Sequence, residues 1–392
     1  MPEASAQPLP LDPRSPVRPI ATDPEDRKLT EGTALCLSGG GYRAMVFHLG
    51  VLWRLYETGR LQTLKRISSV SGGSITAGVL ALKWKALSAD NARQRGTFER
   101  ELVDPIRGLA EETIDAGSVI FGTLLPGRIS DRVAAAYEKH LFHGKTLQDL
   151  PDEPRFVINA TNVQSGVLWR FMKPYMADYR VGMVEKPTIP LAQAVAASSA
   201  FPPILSPFEM RLDPNSVKPT PGADLQRKPF TSKVILTDGG VYDNLGLETA
   251  WKHYDTILVS DGGGQLAPEE EPKSDWAQHS YRVLNLIDNQ VRALRKRQVI
   301  DSFKAKAADA NHRKGAYWGI RTDIADYGLG DALPCPHQRT MLLAETPTRL
   351  KRLDDRSQEQ LINWGYAVCD AALRKHVDAE LAEPAFPYDG GV

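Results

Sequence analysis

Apolar residues in this chain come in short unbroken runs that alternate with longer stretches of helical spacing. The first run, TALCL at residues 33–37, predicts a strand. Behind it SGGG leads into YRAMVFHLGVLWRLYETG, where Ala44, Phe47, Val51, Leu52 and Leu55 recur at helical spacing and Gly59 supplies a C-cap. The next strand is expected over residues 65–70. It breaks at a corner of small polar residues, ISSVSGGSITAG, and an apolar helix, ITAGVLALKWKAL, leaves that corner. Strand, glycine turn, helix, strand, tight turn and helix form a βαβα opening, which requires a parallel sheet.

Residues 90–152 read as mainly helical and carry no chemical motif, as expected of an insertion or lid beside the sheet. RFVINATNVQSGVLWRF alternates around a QSG turn and predicts a β-hairpin. A short helix, PLAQAVAASSA, precedes an FPPI break, and residues 212–228 form a proline-rich loop. Two later strands end alike, in KVILTDGG and TILVSDGGG. A long helix over 281–308 is basic and amphipathic, with Val291, Leu294, Ile300 and Phe303 among its Lys and Arg residues. SQEQLINWGYAVCDAALRKH predicts a late helix opened by a Ser357–Gln360 capping box. Residues 29–378 read as a single α/β domain. Residues 1–28, with seven prolines before Glu25, read as a disordered arm leaning to polyproline II, and 379–392 as a C-terminal tail.

Composition narrows the function classes. The 392 residues are 42% hydrophobic and 24% charged, the profile of a soluble globular protein. A formal net charge of zero gives no sign of a nucleic-acid partner. Cys36, Cys335 and Cys369 make neither a disulfide framework nor a zinc pattern and fit a reducing compartment. No apolar run approaches the ~20 residues of a membrane span, and the N-terminus resembles neither a signal peptide nor a lipid anchor. The expected location is cytoplasmic. The basic amphipathic helix is of the kind that rests on anionic lipid, giving peripheral membrane contact. Oligomeric state is left open.

Chemistry concentrates at two glycine-rich corners. Gly39, Gly40 and Gly41 with Ala44 satisfy G-x-G-x-x-A between strand and helix, the dinucleotide fingerprint. That fingerprint also needs an acid at the end of the second strand, where this chain has Ser69-Val70-Ser71; the nearest acid, Glu57, falls in the intervening helix. The same glycines suit an oxyanion, since consecutive N–H groups at a helix N-terminus make an anion nest. At the second corner, a nucleophile elbow requires small residues two positions either side of its serine. Ser71, flanked by Ser69 and Gly73, fits better than Ser74, flanked by Gly72 and Thr76. None of the eight histidines sits at a glycine-rich strand end. Asp238 and Asp261 both do, and local chemistry alone does not separate them as the base.

The order S-G-G-G-Y-R-A, S-V-S-G-G opening a helix, then D-G-G-V-Y-D-N resembles the patatin-like phospholipases, from about Ala34 to Gly246. The resemblance implies a three-layer α/β/α fold with a mainly parallel central sheet and a Ser nucleophile on a strand-to-helix elbow. It implies phospholipase A- or lysophospholipase-type hydrolysis of lipid esters by a Ser–Asp dyad, without cofactor or metal. Position by position, Ser71 matches the nucleophile, Asp238 the base, Gly39, Gly40 and Gly41 the oxyanion loop, and Arg43 its basic companion. Ser69 stands where the family has the first glycine of G-x-S-x-G, which keeps open a catalytically weak or silent lipid- or protein-binding member of the fold. A dinucleotide-binding oxidoreductase is the third reading.

Overall fold

The strands expected at 33–37 and 65–70 lie side by side at the centre of one sheet in a computed structural model that describes residues 29–114 and 128–392. The arm expected at 1–28 and the centre of the 90–152 segment, residues 115–127, lie outside the described residues. The strands are β1 (Thr30–Leu37), β2 (Leu64–Val70), β3 (Arg155–Asn162), β4 (Val167–Phe171), β5 (Tyr175–Asp178), β6 (Gly182–Glu185), β7 (Phe208–Arg211), β8 (Val217–Lys218), β9 (Lys233–Asp238), β10 (Tyr254–Asp261) and β11 (Lys314–Gly319). The longer helices are α1 (Gly41–Glu57), α2 (Gly72–Ala89), α3 (Arg128–Tyr137), α4 (Leu191–Ser198), α5 (Trp276–Lys304), α6 (His337–Ala344) and α7 (Asp355–His376).

The sheet runs β11-β10-β1-β2-β3-β4-β5-β6-β8, parallel from β11 to β3 and antiparallel beyond. Side chains alternate across a strand, so β1 feeds two layers. Leu35 and Leu37 join the larger core with Met45, Phe47 and Leu52 of α1. Ala34 and Cys36 face the other way, packing with Leu245, Ile257, Val259 and Val299 of α5. The result is the expected three-layer α/β/α arrangement around a parallel centre. The expected hairpin is β3–β4.

Helix α1 is buried along almost its whole length because the sheet covers one side and α7 the other. The two helices approach closely at paired glycines. A Cβ on Gly50 would fall 1.8 Å from the Ile362 carbonyl oxygen, and one on Gly365 would fall 2.0 Å from that of Phe47. Gly365→Ala raises helix propensity by about 1 kcal/mol but has to push two buried backbones apart. The expected net result is a loss of about 3 kcal/mol or more, read by chemical denaturation.

Three expectations change. Helix α7 is capped by Asp354, whose carboxylate accepts the Ser357 N–H at 2.9 Å, in place of a Ser357–Gln360 box; a carboxylate suits a helix N-terminus. Residues 379–392 are no free tail, for Asn363 Nδ2 donates to the carbonyls of Tyr388 and Gly391 and Val392 is buried. The described part of 90–152 packs Phe98, Leu102, Ile106, Leu109 and Tyr137 into the larger core and lines neither of the two cavities at the strand ends. The cavity is instead roofed by α5, which spans 276–304 where 281–308 was expected.

Candidate active site

Strand β3 acts as a ruler for the site. β2 pairs with its first residues and ends with Val70 opposite Asn159. β9 pairs antiparallel with its last residues and ends with Asp238 opposite Ala160. β4 occupies residues 158–162 of β3 on the other edge, so β2 and β9 share one edge and meet there end to end. Ser71, the residue after β2, and Asp238, the last of β9, are thereby brought together, and both line one cavity. Asp238 reaches this point on an antiparallel strand, unlike Asp261, which ends the parallel β10.

Ser71 turns the chain from β2 into α2 with φ 51 and ψ −121, a backbone conformation rare for a side-chain-bearing residue and costing of order 1–3 kcal/mol. What holds it there is local and buried. The Ser71 N–H donates to Ser198 Oγ at 3.0 Å, and Ser198 Oγ donates to the Asn159 carbonyl at 2.6 Å. A Cβ on Gly73 would lie 2.5 Å from the Leu37 carbonyl oxygen, and one on Gly72 would lie 2.2 Å from that of Gly41, so glycine is required at both. Ser74 is buried inside α2, its Oγ 3.0 Å from Ser69 Oγ and 2.9 Å from Ser198 Oγ. Ser69 donates to the Val157 carbonyl at 3.2 Å. Ser69 and Ser74 thus serve a hydroxyl layer beneath the elbow, and the Ser69 hydroxyl is engaged there.

Asp238 is buried, and burial pushes its carboxyl up from the ordinary 3.8 to about 7. The Gly240 N–H, donating to Oδ1 at 2.7 Å, and the Ser71 hydroxyl both pull it down, while Asp288 of α5 pushes it further up. The Oδ2 atom is buried and makes no hydrogen bond with a described residue within hydrogen-bonding geometry. The Ser71 hydroxyl lowers the carboxyl as a hydrogen-bond donor, though it does not close a well-formed bond to Oδ2. A base of pKa near neutrality with a free oxygen beside a serine is suited to take its proton.

The glycine loop divides its tasks. Gly39 N–H is not available to a ligand, since it donates to the Asn244 carbonyl at 3.1 Å. Gly73 N–H is likewise used by the Ser38 carbonyl at 3.2 Å. Among the described residues the N–H groups of Gly40, Gly41 and Gly72 have no partner; the last two open α1 and α2, where N–H groups lack intrahelical acceptors. Gly40 and Gly41 have φ 147 and 61, and a Cβ on Gly41 would meet the Arg349 backbone at 2.6 Å. Arg43 does not touch Asp238. It is buried, with Nε donating to the Gly262 carbonyl at 3.0 Å, Nη2 to Thr348 Oγ1 at 3.0 Å and Nη1 to the Thr346 carbonyl. It ties the glycine loop to the loops at 262–264 and 346–349.

The cavity has a volume of about 790 Å³, with Phe201, Pro202, Val241, Leu284 and Ile287 as its apolar wall. No histidine lines it. His48 is fully buried between Ser260 Oγ (2.8 Å) and the Ser38 carbonyl (3.0 Å), and burial pushes it down to about 4. Glu57 lies at the far end of α1, about 25 Å from Gly41 at 1.5 Å per residue, too far to hold a ribose at the glycine loop. Asp261 is occupied, accepting from Gly263 N–H at 2.9 Å and Tyr317 Oη at 2.8 Å. Among the described residues no group of three His, Cys, Asp or Glu side chains converges as a metal site would. Ser198, Asn159 and Asn244 are the supporting residues that sequence reasoning misses. Only the ASSA run around Ser198, and the D-N ending at Asn244, offered any signal.

A family model described as patatin-like phospholipase matches residues 35–251. Among solved structures, human GIVD cytosolic phospholipase A2 in complex with methyl gamma-linolenyl fluorophosphonate is similar at TM-score 0.50 and 14% identity, over 88% of this chain and 58% of that one. The same human enzyme with that inhibitor and terbium chloride gives TM-score 0.51 at 15% identity, over 87% and 58%. VipD from Legionella pneumophila gives TM-score 0.37 at 16% identity, over 88% and 67%. This chain therefore spans less than three fifths of the two inhibited cytosolic phospholipase A2 chains. No curated protein matches it.

Proposed function

The chain belongs to the patatin-like phospholipase family, and from that premise we propose that it is a lipid acyl hydrolase that cleaves carboxylic esters with Ser71 as nucleophile and Asp238 as base. In this mechanism Asp238 Oδ2 takes the Ser71 proton as Oγ attacks the ester carbonyl carbon. The oxyanion that forms is received by the N–H groups of Gly40, Gly41 and Gly72, donors of a kind worth ~10²–10³ in rate each. Collapse breaks the ester C–O bond, Asp238 returns the proton to the leaving alcohol, and a water deprotonated by Asp238 then frees the acyl chain from Ser71. The observation that carries this proposal is the end-to-end meeting of β2 and β9 on β3, which puts a strained serine beside a buried carboxyl with one unpaired oxygen. Incubation with a fluorophosphonate lipid analogue tests it. A mass adduct on Ser71 and loss of ester hydrolysis are expected; folded protein that neither labels nor hydrolyses would favour the binding-only reading.

The proposed setting is the surface of a membrane, approached from the cytoplasm. No helix among the described residues is long and apolar enough to cross one. Helix α5 leaves Val283, Leu286, Ile287 and Leu294 exposed, Leu286 at 50% and Leu294 at 58%. Its basic half is partly engaged, with Arg295 paired to Glu248 at 3.0 Å and Lys296 over the Tyr317 ring at 4.6 Å. The apolar half therefore matters more than the basic one, and each large side chain buried in lipid contributes about 1.5–3 kcal/mol. Leu286→Glu with Ile287→Glu is expected to lower co-sedimentation with anionic vesicles at least tenfold. Unchanged sedimentation would remove α5 from the lipid contact.

A further inference from the structure

On the far side of the glycine loop from Asp238, the cavity continues into a second space of about 240 Å³ beneath α5, walled by Arg292, Lys296, Tyr317 and Arg321. Arg292 and Arg321 line both spaces. Neither makes an ion pair among the described residues. The one hydrogen bond of Arg292 is a long one, 3.4 Å, to Asn289 Oδ1 on its own helix. The Nε of Arg321 is buried without a partner. The carboxylates nearby do not satisfy them. Asp261 has both oxygens occupied by Gly263 N–H and Tyr317 Oη, while Asp288 and Glu345 act only through space. Arg43 lies on the same wall, and burial, reinforced by repulsion from Arg292, pushes it down to about 10. Burial lowers Arg321 as well, and Arg292 adds to it. Three guanidinium groups thus face a shared space, and two of them are free to take an anion by charge-assisted hydrogen bonds.

Position ties this cluster to the catalytic chemistry. Along the strand ends the order is Arg321 after β11, Gly263 after β10, the glycine loop after β1 and Ser71 after β2. At ~4.8 Å per strand the backbones at 321 and 71 stand about 14 Å apart, and an arginine side chain reaching inward covers much of that gap. Arg292 comes closer still, for a Cβ on Gly263 would lie 2.3 Å from its Nη1. Of the apolar wall, Phe201, Pro202 and Val241 adjoin Asp238 through the bond from the Asp238 N–H to the Ala200 carbonyl and through chain proximity, while Leu284 and Ile287 come from α5. A cavity with an apolar end, an ester-cleaving centre and an uncommitted guanidinium pair has the order acyl chain, ester, phosphate.

We propose that Arg292 and Arg321 bind the phosphate group of a glycerophospholipid or lysophospholipid substrate and so make the enzyme select phosphate-bearing esters over neutral ones. This rests on the ester-hydrolase reading of Ser71 and Asp238. Both arginines lie beyond the matched family region, which ends at residue 251, and Arg43 is committed to Gly262, Thr346 and Thr348.

The test uses the full chain and the ratio of kcat/KM for a short-chain phosphatidylglycerol to that for p-nitrophenyl butyrate. Arg292→Gln with Arg321→Gln is expected to lower that ratio about 10- to 100-fold, the loss of charge-assisted bonds to a phosphate. It should enter through KM for the phospholipid, with partial rescue by Arg292→Lys with Arg321→Lys; thermal melts of both double variants identify any loss of fold. An unchanged ratio in folded protein overturns the proposal. Calorimetric titration of Ser71→Ala with glycerol 3-phosphate and with inorganic phosphate separates the sources of the anion. Stronger binding of glycerol 3-phosphate, lost with the arginines, supports the headgroup site. Equal binding of both, with the kinetic ratio untouched by the double variant, marks a free-phosphate site and overturns it. Arginine-dependent binding of glycerol 3-phosphate to a protein that neither hydrolyses esters nor labels would keep the anion site while defeating the hydrolase mechanism.

Discussion

Asp238→Asn is expected to lower kcat about 10²–10⁴-fold, the usual contribution of a general base, while KM changes little. Asn keeps the shape and can still accept the Gly240 N–H now bonded at 2.7 Å, but it cannot take a proton. The pH profile gives a sharper test. With the carboxyl pushed up to about 7 by burial, the wild-type base is mostly protonated at pH 5–6. Its kcat/KM should rise nearly tenfold per pH unit there and level off above about pH 8. The Asn variant should lose that limb. Stability moves the other way. A carboxyl whose folded pKa of about 7 exceeds its unfolded value of ~3.9 binds more protons folded than unfolded between those two pH values. Its contribution to stability is fully present below ~3.9 and is lost as pH rises through about 7, an upper limit of roughly 4 kcal/mol at 1.36 per unit. Asp238→Asn should therefore stabilise the protein at pH 8 relative to its effect at pH 4, read as a difference in melting shift. Near-normal turnover in folded Asp238→Asn protein, or an activity limb near pH 4, would remove Asp238 as the base.

Ser71→Ala is expected to abolish fluorophosphonate labelling and reduce ester hydrolysis by at least about 10³-fold, since no other group can form the acyl intermediate. Ser74→Ala provides the contrast. Its hydroxyl lies between Ser69 and Ser198 under the elbow, so its removal should cost about 1–3 kcal/mol of stability and leave labelling in place. A third substitution reads the strain directly. At φ 51 and ψ −121, Ser71→Gly releases a conformation that costs side-chain-bearing residues of order 1–3 kcal/mol. The expected result is an inactive protein no less stable than wild type, glycine's greater unfolded entropy offsetting part of the gain. Labelling that survives Ser71→Ala and disappears in a folded Ser74→Ala protein would shift the nucleophile by three residues.

The sequence alone determined what is encoded within a few residues of itself. The apolar run of β1 announces a strand buried on both faces, the helical spacing of α1 announces its packing, and S-V-S-G-G announces a corner where only small residues fit, as the blocked Cβ positions at Gly72 and Gly73 bear out. These follow from steric rules that act between neighbours. Tertiary structure decided what depends on pairing between distant segments. Nothing local distinguishes Asp238 from Asp261, since both end apolar strands in Asp-Gly. They part because β9 turns antiparallel along the free edge of β3 and delivers a buried, half-paired carboxyl to Ser71, whereas β10 places Asp261 between Tyr317 and Gly263. In the same way Gly39 is removed as a donor by Asn244, 205 positions away in the chain. Helix α5, read as a basic amphipathic surface, became the roof of the cavity because Val299 packs beneath the sheet and turns Arg292 inward. Periodicity specifies which face of an element is apolar, and only the packed fold specifies what that face meets.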